Sequence, residues 1–275
     1  LLSKGLQPHL LAMTATPIPR TLALSIHGDL DVSQIDELPP GRSPIKTVVL
    51  SGSQRNKAYE LIRKQVNAGQ QAYVVLPLVD ESEKLDLSSA INVHEKLSTD
   101  IFPDLKVGLL HGRMNSRDKQ SVIKAFASGQ CQILVSTTVV EVGVDVPEAT
   151  IMMIDNADRF GLAQLHQLRG RVGRGNKESS CILMFKSNLS ENAKKRINIL
   201  KDSNDGFKIS EEDMKIRGFG DILGFKQSGI KNFKLADPIH NHNLFILAEK
   251  EIKRIENEKE DIGKYKPLIK LYDRA

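Results

Sequence analysis

The fold is decided by CQILVSTTVVEVGVDVPEATIMMID, residues 131–155. Two short runs within it, residues 132–136 and 150–154, are rich in Ile, Leu, Val and Met and carry no charge. Strands that are buried on both faces have this near-continuous apolar composition, which is typical of a parallel sheet covered by helices. The stretch therefore predicts two internal strands of one parallel sheet.

The same pattern continues along the chain in both directions. Further apolar runs lie at residues 45–50, 72–79, 106–110 and 180–185, and helical patterns lie between the runs at 54–67, 89–99, 116–127 and 161–169. Parallel strands that alternate with helices need right-handed crossovers, which place helices on both faces of the sheet. The sequence predicts an α/β domain of this kind, with Ser53 as the N-cap of its first helix.

Composition limits the class of protein. The chain has 275 residues and a net charge of +5, a mildly basic balance that suits nucleic acid, a nucleotide or an ordinary enzyme. No apolar run reaches the ~18 residues of a membrane span, and the start shows neither an initiator Met nor a signal peptide. Cys131 and Cys181 lack metal-ligand spacing. We expect a piece of a longer cytoplasmic protein, monomeric, without a membrane partner or a metal site, and with both thiols buried.

Polar residues follow three of the predicted strands, where ligands of open parallel sheets bind. His111 and Arg113 follow one run, Thr137 and Thr138 follow a second, and Asp80 follows a third. A lone histidine is more often a hydrogen-bonded structural residue than a functional one. The meeting of several polar strand ends nevertheless indicates a site.

The segment QLHQLRGRVGRG, residues 164–175, is the strongest candidate for an anion site. Five cationic side chains and no acidic one lie from Arg159 to Lys177. Arginine suits phosphate because its planar fork donates two parallel hydrogen bonds. Helical spacing predicts that one face of this helix presents hydrogen-bond donors, namely Gln164, Gln167, Arg171 and Arg174. A neighbouring apolar stripe consists of Leu162, Leu165 and Leu168. A solvated basic face or an interface patch is the alternative.

Three motifs, in order, resemble those of superfamily 2 helicases. MTATPIPR (13–20) resembles their third motif, VSTTVVEVGVDVP (135–147) their fifth and QLRGRVGR (167–174) their sixth. The wording of residues 13–42, 77–90 and 159–175 is most similar to the RecG family of ATP-dependent DNA helicases, which remodel branched DNA such as replication forks and Holliday junctions in recombination and repair. The transcription-repair coupling factor shares the third and sixth motifs but differs at DELPPGR and ESEKLDL.

The resemblance implies three parts. Residues 1–44 would be a remnant of a first RecA-like domain with a linker, 45–200 the second RecA-like helicase domain, and 201–275 a smaller, mainly helical C-terminal region with a translocation hairpin and loop. Phe219 stands where the family usually has proline, which leaves the placement of the loop open. No phosphate-binding G-x-x-x-x-G-K-[ST] loop occurs, so we expect the chain alone to be inactive.

The resemblance also implies roles for single residues. ATP with Mg²⁺ would lie between two RecA-like domains and be bound mainly by the missing first one, and the partner would be branched or duplex DNA. The implied catalytic residues are Gln167, Arg171 and Arg174, with Arg174 as the arginine finger. The residues implied to bind ATP are Gly143, Asp145, Arg171 and Arg174. The implied DNA contacts are Thr137, Thr138, His111 and Arg113, and the coupling residues are Thr14, Thr16, Arg217 and Gln227. The alternatives are the transcription-repair coupling factor, a nucleic-acid binding module with a degenerate motor, and an RNA helicase.

Overall fold

The computed structural model describes residues 44–77, 83–137, 146–186, 189–217, 242–258 and 262–267, together with five single residues before position 38. Several predicted site residues lie outside the described ones: Thr14, Thr16, Thr138, Gly143, Asp145 and Gln227. Arg217 is described only as the last residue of a helix.

One six-stranded sheet organises the chain. Its strands are β1 (Lys46–Ser51), β2 (Gln71–Val75), β3 (Val107–Leu110), β4 (Ile133–Ser136), β5 (Ala149–Ile154) and β6 (Ser180–Phe185). Their order across the sheet is β1-β6-β5-β2-β4-β3, and every pairing is parallel. The predicted α/β class with a parallel sheet is confirmed. β2 ends at Val75, earlier than predicted, because Pro77 has no amide hydrogen for a further ladder bond.

Seven α-helices are described: α1 (Arg55–Asn67), α2 (Glu83–Lys96), α3 (Ser116–Ala127), α4 (Leu162–Arg169), α5 (Glu191–Asp202), α6 (Gly206–Arg217) and α7 (His242–Asn257). Ser53 is not an N-cap, because the chain already turns in a 3-10 helix over Gly52–Gln54. Ser51 precedes that turn, and its amide donates to Gln54 Oε1 at 3.2 Å. No helix within the described ranges is long and apolar enough to cross a bilayer.

The core has two layers, one on each face of the sheet. Met152 and Ile154 of β5 pack in the layer that contains residues of α3, α4 and α5, whereas Ile151 and Met153 pack in the layer with α1 and α2. Neighbouring residues of a strand point to opposite faces, so a strand covered on both faces is apolar at every position. Helices on both faces are thus confirmed, as is the burial of Cys131 and Cys181. Burial raises the pKa of the Cys181 thiol to about 12.

The chain divides into two compact units. The first comprises residues 1–16 and 36–213 and contains the whole sheet, and the second comprises residues 17–35 and 214–275. In the second unit, α7 exposes Leu244, Leu247 and Ile252. Arg254 on the same helix pairs with Glu251 at 2.6 Å. The predicted three parts, with boundaries after residues 44 and 200, stay a prediction.

Candidate functional site

Helix α4 carries the segment with the clustered arginines. The amide of Gly161 donates to Gln164 Oε1 at 3.1 Å, so Gln164 caps the start of the helix instead of joining a row of donors. Leu162, Leu165 and Leu168 are fully buried, which confirms the predicted apolar stripe. The expected place of Gln164 in the donor face is wrong, because its side chain folds back onto the helix end.

The helix ends at Arg169, and residues 170–175 form a turn that we call the arginine loop. The amide of Gly170 still donates to His166 O at 3.0 Å, but the next two amides, those of Arg171 and Val172, reach carbonyls only three residues back. The φ angle of Gly173 is then +73°. The prediction that Arg171 and Arg174 continue a helical face is therefore wrong, because tighter bonds and a left-handed residue end the helix.

Packing fixes the arginine loop. Val172 is fully buried, and a Cβ on Gly173 would lie 2.9 Å from Ile45 Cγ1, so this position has room only for glycine. Arg174 is exposed, and its Nε donates to Gly170 O at 3.4 Å. Gln167 and Arg171 are both half-buried. Gln167 thus lies on the last turns of α4, whereas Arg171 and Arg174 lie in the arginine loop that follows it.

The arginine loop lies beside the amino ends of the strands. Gly173 packs on Ile45, which precedes β1, and a Cβ on Gly175 would meet Pro147 O, ahead of β5, at 3.3 Å. A helix that connects two parallel strands runs antiparallel to them, so the end of α4 returns to this edge. The candidate residues are therefore not gathered at one edge, because the DNA-contact candidates follow β3 and β4.

Sequence reasoning grouped Arg169 with the other arginines and missed its burial. Its side chain is 2% exposed, and Nη1 donates to Leu200 O at 2.6 Å and to Ser203 O at 2.8 Å. Burial lowers the pKa of this guanidinium. Helical spacing could have revealed its place, because Arg169 lies four residues after Leu165 and seven after Leu162, on the apolar stripe.

His111 and Thr137 meet at the carboxyl ends of adjacent strands. Leu110 pairs with Ser136, and the amide of Thr137 donates to Leu110 O at 3.3 Å. Both His111 Nδ1 and Thr137 Oγ1 are buried and make no hydrogen bond. Burial lowers the pKa of His111, and the nearby charges of Lys119 and Arg113 lower it further. A buried polar group without a hydrogen-bond partner lowers stability, so these two atoms favour a ligand that supplies the partner. The nearby charges of Lys119 and Arg113 favour an anionic oxygen as that ligand.

The connection from β5 to α4 is held by two arginines that sequence reasoning also missed. Arg55, the first residue of α1, donates from both terminal nitrogens to Asp155, at 3.0 and 2.7 Å, and Asp155 is 5% exposed. Arg196 of α5 donates to Phe160 O and Asp158 O, both at 3.0 Å. These bonds fix the 3-10 turn Ala157–Arg159 that leads into α4. Within the described ranges, no group of three His, Cys, Asp or Glu residues could hold a metal ion.

Two family models match the chain. "Helicase conserved C-terminal domain" matches residues 53–176, and "ATP-dependent DNA helicase RecG, domain 3, C-terminal" matches residues 203–271. Proteins named ATP-dependent DNA helicase RecG from Synechocystis sp. and Bacillus subtilis are 51% identical over 275 residues and 50% identical over 249 residues. The chain belongs to the RecG family.

This RecG-family chain is shorter than its relatives. The alignments cover 100% and 90% of it but only 33% and 36% of the two relatives, so it spans about a third of their length. A solved structure, "Structure of RecG bound to three-way DNA junction", is 47% identical with a TM-score of 0.67. That match covers 84% of this chain and 30% of the other. The predicted RecA-like helicase fold is confirmed.

Proposed function

We propose that this chain is the C-terminal motor part of an ATP-dependent DNA helicase that remodels branched DNA, such as replication forks and Holliday junctions, in recombination and repair. One observation carries the proposal: the arginine loop holds Arg171 and Arg174, beside Gln167, in a turn that buried leucines and Gly173 fix in place. Residues 45–200 would form the second RecA-like domain, with a remnant of the first domain before it and the translocation region after it.

The donor set of the arginine loop fits the phosphate end of a nucleotide. Gln167, Arg171 and Arg174 all present hydrogen-bond donors, and a guanidinium stays charged at any physiological pH. ATP, bound with Mg²⁺ mainly by the first motor domain, supplies the phosphoryl group on which negative charge develops. Arg174 would stabilise that charge as an arginine finger, Arg171 would hold the neighbouring phosphate oxygens, and Gln167 would sense the bound state. We assign Gly143 and Asp145 to the ribose side of the same site.

His111 and Thr137 are the proposed contacts to the DNA backbone, with Arg113 and Thr138 beside them. A phosphate oxygen would accept from the two buried groups that lack partners, and exposed Arg113 would add charge. Contacts of this kind position the protein on DNA without reading its sequence. We further propose that Thr14, Thr16, Arg217 and Gln227 couple hydrolysis to movement, and that the whole protein is a cytoplasmic monomer.

The proposed function predicts a sharp difference between the 275-residue chain and the full-length protein. The full-length protein should hydrolyse ATP, with forked DNA stimulating it more than linear duplex and RNA least, whereas the chain alone should fold and hydrolyse none. The reason is that the chain has donors for phosphate but no phosphate-binding loop. Steady-state ATPase assays of both proteins measure this. Turnover by the purified chain would place the site elsewhere, and stimulation by RNA above DNA would favour an RNA helicase.

Thr137→Val tests the DNA contact. The hydroxyl of Thr137 is buried without a partner, so its removal should leave the stability of the chain unchanged or raise it by about 1 kcal/mol. Affinity for duplex DNA should fall about 3- to 10-fold, as expected for one lost hydrogen bond. Urea unfolding and fluorescence anisotropy at fixed salt measure the two effects.

Thr150→Val is the matched control. Thr150 is also buried, but it lies at the amino end of β5, at the opposite edge of the sheet, and its hydroxyl already donates to Gln70 Oε1. Its replacement should lower stability and leave DNA affinity unchanged. Thr137→Val with full DNA affinity would remove Thr137 from the interface.

A further inference from the structure

We propose that Arg169 is a positioning residue that ties helix α4, and with it the arginine loop, to the start of helix α6. The proposal rests on the function proposed above and adds a residue to it. Arg169 falls at an unspecified position of the Q-x-x-G-R-x-G-R motif, so the motif gives it no role.

The bonds of Arg169 link three elements, β1, α4 and α5, and the connection that follows α5. Nη1 donates to Leu200 O on the last turn of α5, to Ser203 O just after α5 and, at 3.4 Å, to Thr47 Oγ1 on β1. Nη2 lies 3.2 Å from Nδ1 of His166, one turn earlier on α4. Among the described residues, no carboxylate thus accepts a hydrogen bond from this buried cation.

A buried cation without a carboxylate partner stabilises the fold less than an apolar side chain of similar size would. Burial of a charge costs several kcal/mol, and well-packed apolar residues often replace buried charges without loss of stability. Arg169 recovers part of that cost from the C-terminal carbonyls of α5, where the helix dipole is negative. Its particular value is geometric, because the two hydrogens of one planar nitrogen, Nη1, fix the positions of two carbonyls, Leu200 O and Ser203 O, at the point where the chain leaves α5.

The connection that Arg169 holds leads directly into α6. The amide of Asp205 donates to Ser203 Oγ at 3.1 Å, and the carboxylate of Asp205 accepts from the amide of Phe207 at 2.9 Å. Gly206, the first residue of α6, packs against α4 as well, because a Cβ there would lie 3.0 Å from His166 Nε2. Two neighbouring residues of α4, His166 and Arg169, therefore determine where α6 begins.

The arginine loop itself has independent support. Leu165, Leu168 and Val172 are fully buried and hold α4 and the loop on the sheet without the guanidinium. Loss of the Arg169 donors should therefore release the start of α6 and leave the nucleotide contacts in place. Since α6 opens the segment that resembles the translocation hairpin, the expected defect lies in coupling and not in hydrolysis.

The experiment uses the full-length protein with Arg169→Met and Arg169→Lys. Arg169→Met should keep the kcat for DNA-stimulated ATP hydrolysis but lower fork unwinding per ATP about 3- to 30-fold, the range of single-residue effects on coupling. Arg169→Lys should give a smaller loss, because an ammonium can hold one of the two carbonyls. Lys201→Met is the control, since it removes an exposed cation from the same turn of α5 and should change neither quantity.

Hydrogen exchange supplies a readout that needs no activity. The Ile209 amide, which donates to Asp205 O at 3.1 Å in the first turn of α6, should exchange faster in Arg169→Met, while the amides of β5 stay protected. Equal acceleration of the β5 amides would show a merely structural role and overturn the proposal. An equal fall of ATP hydrolysis and fork unwinding in Arg169→Met would also overturn the proposal. If Arg169→Met does not fold, Arg169→Lys decides, and wild-type unwinding per ATP in that variant would overturn it. A wild-type protein without ATPase would sink the proposed function but leave the exchange result standing.

Discussion

Arg174→Ala in the full-length protein is expected to lower the kcat of ATP hydrolysis by ~10²-fold or more, with little change in DNA affinity. The side chain is exposed at the tip of the fixed arginine loop, where it can reach a nucleotide held by another domain. Its interaction with the transferred phosphoryl group is strongest in the transition state, so the loss should appear in kcat and not in binding. Single-turnover and steady-state kinetics on forked DNA measure it.

Two further variants sharpen this test. Arg174→Lys should be nearly as damaging, because an ammonium cannot reproduce the planar fork of a guanidinium. Arg159→Ala removes an exposed arginine from the 3-10 turn before α4 and should leave kcat unchanged. The reverse pattern, with kcat intact and DNA binding lost in Arg174→Ala, would make the arginine loop a docking surface for nucleic acid and favour a binding module over a motor.

The strands and helices of the sheet domain were predictable because their signals are local. Residues 116–127 were predicted as a helix and form α3 with the same ends, since Asn115 caps it by accepting from the amide of Asp118 at 2.8 Å. β5 was predictable because residues 151–154 are consecutive apolar residues that pack in both layers of the core. Buried parallel strands and capped amphipathic helices need only neighbouring residues to be recognised.

The site was harder to predict because its geometry depends on distant contacts. The end of α4 is fixed by Gly173 against Ile45, more than a hundred positions earlier, and Arg169 is buried by carbonyls of α5. The Arg55–Asp155 pair joins residues separated by 100 positions. Helical spacing extended past residue 169 placed Arg171 and Arg174 on a face that the fold does not build, and their grouping with Gln167 in one site stays a prediction.

The separation of the two sets of candidates follows from chain topology. His111 and Thr137 lie at the carboxyl edge of β3 and β4, whereas the arginine loop lies beside the amino ends of β1, β5 and β6. The proposed contacts to the nucleotide and to DNA therefore lie at opposite edges of the sheet. The sheet between the two edges keeps the proposed phosphate contacts of ATP and of DNA at a fixed separation. A fixed separation suits a motor in which ATP hydrolysis drives movement along DNA.

The second large effect is expected from Gly173→Ala, which should destabilise the chain by roughly 2–5 kcal/mol. About 1–2 kcal/mol comes from a left-handed backbone, since the φ angle is +73°. The remainder comes from the added Cβ, which would lie 2.9 Å from Ile45 Cγ1, on a buried side chain that cannot swing away. Urea unfolding of the 275-residue chain gives the free energy.

Gly129→Ala separates the two contributions. Gly129 has nearly the same backbone angle, φ +76°, but an added Cβ there meets nothing within 4 Å, so only the backbone cost should remain. In an Ile45→Ala background, Gly173→Ala should cost no more than Gly129→Ala does in the wild type, because the clashing atoms are gone. If the two glycines instead cost the same in the wild type, Ile45 yields to the methyl group. The glycine of the motif would then be required for its left-handed backbone and not for its packing on Ile45.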